Sequence, residues 1–236
     1  MANKRKVKLP FFEIGPKSYL VGDEVLELAL AADKAAEKYG VDIIFTTPVV
    51  DIRRVKEATK NIHVFAPHMD PIYPGRGVAD ILPESLVAAG ADGVMLNHCE
   101  KPLDFETLEK TIRRADEVGL TTIVCADSMK DASRIAGLNP DIIVAEPSEL
   151  IGTGVSVGKE YVEAATRAVK DVNPDILVLT AAGISGGNDV YNTIISGADA
   201  TGSSSGVAKA ADRAAMVDEM ICAVRRAYDE RMSNKA

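Results

Sequence analysis

The chain has 236 residues, of which 47% are hydrophobic and 26% are charged, a composition typical of a globular protein rather than a disordered one. Its formal net charge of −8 argues against the basic surface that binds nucleic acid or anionic membranes, so we expect no nucleic-acid partner. No apolar run approaches the roughly 20 residues that span a bilayer, and we expect no membrane partner.

Cysteine usage indicates a reducing environment. The three cysteines, Cys99, Cys125 and Cys222, are odd in number, widely spaced and without metal-ligand spacing. The basic residues 4–6 are followed by only a short, interrupted apolar run at 7–14, which does not resemble a signal-peptide core. We therefore predict a cytoplasmic protein with no structural disulfide and no metal site.

Apolar runs that predict strands alternate with amphipathic patterns that predict helices along nearly the whole chain. The predicted strands span residues 6–14, 42–46, 62–66, 93–97, 120–125, 140–145, 175–180 and 198–202. The predicted helices span residues 23–39, 51–59, 83–89, 104–118, 128–136, 159–172, 189–196 and 207–231. A strand–helix unit recurs about every 25 to 30 residues, which suits successive βα units.

The strands are continuous apolar runs, which is typical of parallel strands that are buried on both faces. Right-handed crossovers then leave two arrangements, a closed (β/α)8 barrel or an open doubly wound sheet. Eight even units with no second composition regime favour the barrel. We predict an α/β fold in which residues 1–236 form a single (β/α)8 barrel domain.

Catalytic groups in such a barrel project from the carboxyl ends of the strands. Polar residues follow the predicted strands at Lys17, His68, Asn97, His98, Glu100, Asp127, Glu146 and Ser185. Among them, Lys17, His98 and Glu146 supply a cation, an imidazole and a carboxylate. Taken singly, the lysine would more often be a surface residue and the histidine a hydrogen-bonded loop residue, but together they form a chemically coherent set. We assign His63 and His68 to packing and to loop hydrogen bonding.

The acid at the end of the sixth strand has an unusual setting. Glu146 is followed by Pro147, which fixes its own φ and restricts Glu146 to extended geometry. The segment 147–157 then combines apolar residues with flexible glycines. This pattern suits a general base under a movable lid, whereas a solvated acid at a strand–loop junction is the alternative interpretation.

Glycine- and serine-rich turns follow the seventh and eighth strands at 181–188 and 202–206. Such turns bind phosphate through backbone N–H groups and the positive end of a helix. The same two loops bind phosphate in many barrels of this kind. Either turn alone would more often be an ordinary connection, but the two together predict a phosphate site.

Three motifs carry a resemblance to a known family: Leu96-Asn-His-Cys-Glu100, Ala145-Glu-Pro-Ser-Glu-Leu-Ile-Gly-Thr-Gly154 and Ala182-Gly-Ile-Ser-Gly-Gly-Asn188. In these motifs, and in Gly197-Ala-Asp and Ser205-Gly-Val-Ala-Lys209, the chain resembles the triosephosphate isomerases, especially their shorter archaeal-type form. The match extends in order over nearly the whole chain.

The resemblance implies a role for each candidate residue. Glu146 would move a proton between the two carbons of an enediol. The neutral His98 would polarise the carbonyl and shuttle protons between the oxygens, and Lys17 would stabilise the anionic substrate and the enediolate. Glu100 would orient the site from outside the substrate's contacts. Asn97 would lie beside the lysine, and the substrate's phosphate would meet the backbone of Gly152, Gly183, Ser185, Ser204 and Ser205. The implied partners are a small phosphorylated sugar and further copies of the chain, which would form a dimer or tetramer. The resemblance implies no cofactor and no metal.

The chain departs from the family at the pocket. Gly15-Pro-Lys17 lacks the asparagine of the family's Asn-x-Lys motif, Ala181 and Ser204 stand where the family places glycines, and Val78-Ala79 replaces a Thr-Gly pair that helps dimerise.

The predicted reaction is the interconversion of dihydroxyacetone phosphate and glyceraldehyde 3-phosphate. Because Gly15 leaves room for another hydroxymethyl group, an isomerase of a longer ketose phosphate, such as a tetrulose phosphate, is the alternative. A non-catalytic binding or regulatory barrel is the third.

Overall fold

The computed structural model describes residues 4–151, 153–154, 156–181 and 183–234. Its eight strands form one closed barrel in sequence order. They are β1 (Phe11–Ile14), β2 (Asp42–Thr46), β3 (Ile62–Ala66), β4 (Gly93–Leu96), β5 (Thr121–Ala126), β6 (Ile142–Ala145), β7 (Leu177–Thr180) and β8 (Ala200–Ser203). All neighbouring strands pair in parallel. The predicted (β/α)8 barrel is confirmed.

Pairing of the first strand with the last closes the barrel. Glu13 lies opposite Ile44 of β2 on one side and opposite Gly202 of β8 on the other. The loops that follow β1 and β8 therefore emerge side by side at one rim, although they are far apart in the sequence.

Helices surround the barrel and connect its strands. They are α1 (Asp23–Tyr39), α2 (Ile52–Ala58), α3 (Pro83–Ala89), α4 (Phe105–Val118), α5 (Met129–Ala136), α6 (Lys159–Lys170), α7 (Gly187–Ile195), α8 (Ser205–Ala208) and α9 (Arg213–Ser233). Local sequence fixes several ends: the Asp104 and Ser128 side chains cap α4 and α5, and glycines in the left-handed conformation end α1, α3 and α4. Among the described helices, none is both long and apolar enough to cross a membrane.

Two predictions differ most from the structure, while other ends differ by one or two residues. The first strand begins at Phe11 and not at residue 6, because Pro10 has no N–H to donate to a neighbouring strand. The predicted last helix, 207–231, is two helices, α8 and α9. The chain breaks between them because the Asp212 side chain accepts a hydrogen bond from the Ala215 N–H and so starts a new helix.

Two apolar layers hold the barrel together. Outward-facing strand residues such as Phe12, Ile43 and Val64 pack against the helices. Inward-facing residues form a smaller cluster inside the barrel, made by Phe11, Ile44, Phe65, Ile123, Cys125, Ile142, Val144, Leu179 and Ala200. The inner cluster fills the lower barrel, so the open space lies at the carboxyl ends of the strands.

Candidate active site

A cavity of about 530 Å³ opens at the carboxyl ends of the strands. This volume is in the range of pockets that hold small molecules. Most of the residues proposed from sequence line it: Lys17, His98, Glu100, Glu146, Gly183, Ser204 and Ser205. Loops after β1, β4, β6, β7 and β8 thus contribute to a single site.

Lys17 is held in a strained backbone conformation above β1. Its φ of 47° lies in the left-handed region, which costs a residue with a side chain free energy and often marks a functional position. The Lys17 Nζ lies 3.1 Å from Glu100 Oε1. The loop behind it is fixed because the Ser204 hydroxyl donates to the Gly15 carbonyl oxygen at 2.6 Å. The cation is therefore positioned at the rim shared by β1 and β8.

His98 is held as a neutral imidazole with a defined tautomer. The backbone N–H of Glu100 donates to His98 Nδ1 at 3.1 Å, so Nδ1 accepts and the proton of the neutral ring is on Nε2. Burial lowers the pKa of His98, and the nearby Lys17 lowers it further, while Glu100 and Asp127 oppose the shift. A neutral ring with an Nε2–H can donate a hydrogen bond to a substrate oxygen.

Glu146 follows β6, and its backbone N–H donates to Ala126 O at 3.1 Å. Burial raises the pKa of its carboxyl group to about 7, and Lys17 opposes the rise while Asp127 and Glu100 add to it. A carboxylate with a pKa near neutrality is a far better base than an exposed one. A short 3-10 helix, Ser148–Leu150, begins the lid segment directly after it.

Two of the residues predicted to bind substrate are engaged elsewhere. The Asn97 side chain donates to Cys125 O at 3.0 Å and accepts from the Leu103 N–H at 2.9 Å, so it anchors the loop that carries His98. The Ser185 N–H and hydroxyl both donate to Asp189 Oδ2, at 2.9 and 2.7 Å. Neither residue lines the cavity, and this geometry does not support a direct contact of either with substrate.

The predicted phosphate loops pack tightly against each other. The buried Ser203 hydroxyl donates to Ile184 O at 2.9 Å, and a Cβ on Gly206 would lie only 2.5 Å from the same oxygen. Glycine is therefore required at position 206. The close contact brings Gly183, which has a φ of 68°, next to Ser204 and Ser205 at the cavity wall. Gly152, the remaining predicted phosphate ligand, lies outside the described residues.

The sequence interpretation missed Glu13, a buried acid on the cavity wall. It lies within β1, is only 9% exposed and lines the cavity. Burial raises the pKa of its carboxyl group to about 7; Thr46 and Lys17 oppose the rise, and Glu146 adds to it. The only signal in the sequence was an acid in an otherwise apolar strand.

The other histidines and the cysteines fit their predicted assignments. His63 Nε2 lies 3.0 Å from Asp42 Oδ2, and His68 Nε2 lies 3.3 Å from Asp70 Oδ1 in the third loop. All three cysteines are free.

The arrangement combines a base with a raised pKa, a neutral hydrogen-bond donor and a fixed cation around one cavity. A base removes a proton most readily from a carbon next to a carbonyl when the developing negative charge on oxygen is stabilised. The site is therefore suited to proton transfer next to a carbonyl group in an anionic substrate.

The raised pKa of Glu13 predicts a pH dependence of stability. The folded protein retains this proton where the unfolded chain has lost it, so the contribution is present below about pH 4.5 and is lost as the pH rises through about 7. The free energy of unfolding of the wild type, relative to the Glu13→Gln variant, should fall by on the order of 3 kcal/mol between pH 4.5 and about pH 8.

Urea unfolding of both proteins across this range measures the difference. The comparison cancels groups that both proteins share, including His98, whose lowered pKa acts in the opposite direction. A difference that is independent of pH would show that the Glu13 carboxyl group titrates in the folded protein as it does in the unfolded chain, with no raised pKa.

Comparison with known proteins agrees with these features. The family model described as triosephosphate isomerase matches residues 16–220. The triosephosphate isomerase of Methanocaldococcus jannaschii is 40% identical over 204 residues, which cover 85% of this chain and 93% of the relative. Those of Methanothermus fervidus and Saccharolobus solfataricus are 37% and 36% identical, over 90% and 94% of this chain and 97% and 99% of the relatives. The chain belongs to the triosephosphate isomerase family.

Proposed function

We propose that this protein is an isomerase that interconverts dihydroxyacetone phosphate and glyceraldehyde 3-phosphate. The observation that carries the proposal is the convergence of Lys17, His98 and Glu146 on one cavity in a member of this family. The relatives that match most of the chain carry the name of this activity.

In the proposed reaction, the Glu146 carboxylate removes a proton from the carbon next to the carbonyl. The electron pair moves to form the enediol double bond, and the carbonyl oxygen becomes negative. His98 donates a hydrogen bond from Nε2 to this oxygen, and the Lys17 ammonium stabilises its charge. His98 gives its Nε2 proton to this oxygen and takes up the proton of the adjacent hydroxyl group, so the negative charge moves to the second oxygen. As the new carbonyl forms there, the protonated Glu146 returns its proton to the former carbonyl carbon, and both groups are back in their starting forms. A glutamate base paired with a neutral histidine is the arrangement for which triosephosphate isomerases themselves are the standard example.

Substrate anchoring is assigned to the loops after β7 and β8. Gly183, Ser204 and Ser205 line the cavity there, and the first N–H groups of a helix such as α8 have no intrahelical acceptor. We assign the phosphate to this wall, with the lid segment closing over it. Glu100, through its hydrogen bond to His98 and its ion pair with Lys17, holds both groups in place.

The structure bears on the alternative of a longer sugar phosphate. That alternative depended on space left by Gly15, but a Cβ on Gly15 would lie 3.1 Å from Glu13 Oε1. The Glu13 carboxyl group therefore occupies part of the volume that the missing asparagine would vacate, which favours the triose substrate.

Turnover measurements on the two triose phosphates, with tetrulose phosphates beside them, test the assignment. We expect kcat/KM for the trioses to exceed that for the tetruloses by at least about tenfold, because binding energy in the transition state sets specificity. The opposite order would make the protein an isomerase of the longer sugar. Absence of turnover on either class would favour the non-catalytic alternative.

The role of Glu146 is tested by the Glu146→Gln variant. We expect kcat to fall by about 10²- to 10⁴-fold, because the amide cannot accept the proton, with no loss of thermal stability. The matched control is Glu149→Gln, which changes an exposed acid of the same loop and should leave kcat within about twofold of the wild type. Activity of Glu146→Gln within tenfold of the wild type would exclude this residue as the base.

We also propose that the protein associates with copies of itself. The loops after β1, β2 and β3 expose the apolar residues Tyr19, Val21, Val50, Tyr73 and Val78 along three adjacent strands. Tyr73 is held in place, because its hydroxyl donates to Glu117 at 3.1 Å and its ring lies 4.1 Å from the Arg114 guanidinium. Exposed apolar residues on three neighbouring loops of one rim are what an interface between copies of the chain would cover.

The Val78→Asp variant tests this surface. A charge at this exposed apolar position should shift the wild-type dimer or tetramer toward monomer, as measured by light scattering during size-exclusion chromatography. Val172→Asp changes an exposed valine in a different part of the chain and should leave the mass unchanged. A monomeric wild type, or equal masses for wild type and Val78→Asp, would contradict the proposal.

A further inference from the structure

Glu13 is a buried acid that the proposed proton transfer does not use. The inward-facing neighbours along this part of the barrel, Phe11 of the same strand and Ile44 opposite Glu13, are apolar. Among the described residues, no hydrogen bond of normal geometry reaches the Glu13 carboxyl group, and its Oε1 is buried without a partner. A buried polar group without a partner destabilises a fold, so its presence at a cavity calls for a functional explanation.

Two glycines leave the space in which this carboxyl group lies. A Cβ on Gly15 would be 3.1 Å from Glu13 Oε1. A Cβ on Gly202 would be 2.9 Å from the Glu13 carbonyl oxygen and 3.1 Å from Glu13 Oε2. A larger residue at either position would therefore press on Glu13. The glycines at positions 15 and 202 therefore leave room for the Glu13 carboxyl group at the bottom of the cavity, which we call the cavity floor.

A second polar group shares the floor. Thr46, at the end of the neighbouring strand β2, also lines the cavity. Its buried hydroxyl lies close enough to the Glu13 carboxyl group to lower the pKa of that group, but it makes no hydrogen bond of normal geometry among the described residues. Two adjacent polar groups with incomplete hydrogen bonding, both at the edge of a cavity that otherwise suits a sugar phosphate, indicate that a ligand supplies the missing hydrogen bonds.

Burial of Glu13 favours its neutral form. Burial raises its pKa to about 7, Thr46 and Lys17 oppose the rise, and the carboxylate of Glu146 adds to it. A neutral carboxyl group both donates and accepts a hydrogen bond, as a hydroxyl group does. It also avoids repulsion with the phosphate and with an enediolate.

We propose that the Glu13 carboxyl group binds a hydroxyl group of the substrate on the cavity floor and so selects a hydroxylated carbon chain over a deoxygenated one. This inference rests on the proposed function and deepens it, because it assigns a specificity-determining contact to the same site. The Glu13 carboxyl group then supplies a polar contact beside Gly15, where the family has an asparagine.

Equilibrium binding of three phosphates measures the contact without any turnover. The ligands are propyl phosphate, 3-hydroxypropyl phosphate and glycerol 3-phosphate, and calorimetric titration gives each dissociation constant. The hydroxyl gain is the factor by which an added hydroxyl group strengthens binding relative to propyl phosphate. In the wild type, at least one added hydroxyl group should give a hydroxyl gain of about tenfold or more. In Glu13→Met that gain should shrink below about threefold, while propyl phosphate still binds within about threefold of the wild type.

Stability separates a binding role from a structural one. Replacing an unpartnered buried acid by an apolar side chain of similar length should raise the melting temperature of Glu13→Met by a few degrees. An equal hydroxyl gain in the wild type and in Glu13→Met would overturn the proposal. So would the absence of any hydroxyl gain in the wild type.

If Glu13→Met does not fold, the isosteric Glu13→Gln carries the test. The hydroxyl gain of the wild type should differ between about pH 6 and about pH 8.5, because the carboxyl group loses its proton, and that of Glu13→Gln should be equal at both values. Titration of His98, which both proteins share, cancels in this comparison. A wild-type gain that is equal at both pH values would overturn the proposal.

The two proposals fail in distinguishable ways. A protein that discriminates hydroxylated ligands through Glu13 but turns over neither triose phosphate would retain this inference and lose the proposed reaction. If the protein turns over triose phosphates but the hydroxyl gain is unchanged in Glu13→Met, the proposed reaction is retained and this inference is lost.

Discussion

The parallel pairing of β1 with β8 is the constraint on which the rest of the molecule depends. It converts eight successive βα units into a closed ring and brings residues 11–14 beside residues 200–203. Because all strands run in the same direction, every strand end that carries chemistry lies at one rim. The lysine after β1, the acid after β6 and the serines after β8 share a cavity for this reason alone.

Hydrogen bonds and unusual backbone conformations in the loops fix the side chains at the rim more exactly than the barrel alone does. Asn97 and Lys17 both take the left-handed conformation, with φ values of 58° and 47°, and each is held by hydrogen bonds or ion pairs from other loops. The Ser204–Gly15 and Ser203–Ile184 bonds join the loops after β8 to those after β1 and β7. Strain at the rim is thus offset by bonds that also fix the reactive groups, which is how a site becomes preorganised.

Much of this organisation could be predicted from the sequence. Apolar periodicity and turn residues are local, so the strands at 42–46 and 62–66 and the helix at 83–89 were placed correctly, and counting the units predicted the barrel. Lys17, His98 and Glu146 could be proposed because strand ends in a barrel converge, and all three line one cavity. By contrast, the roles of Asn97 and Ser185 depend on partners that no local pattern reveals, namely a carbonyl of β5 and the Asp189 carboxylate. Glu13 was missed because the space for its side chain depends on Gly202, which is paired with it on β8 but is far from it in the sequence.

The seam between β1 and β8 also has a consequence for how the protein is made. While a ribosome synthesises the chain, β1 is among the first elements to emerge and its partner strand is the last of the eight. Until residue 203 has left the ribosome, the growing sheet has two open edges, which are prone to pair with other chains. The rim that carries the lysine cannot be completed before then. The cavity at the carboxyl ends of the strands can therefore form only at the end of synthesis, when β8 closes the ring against β1.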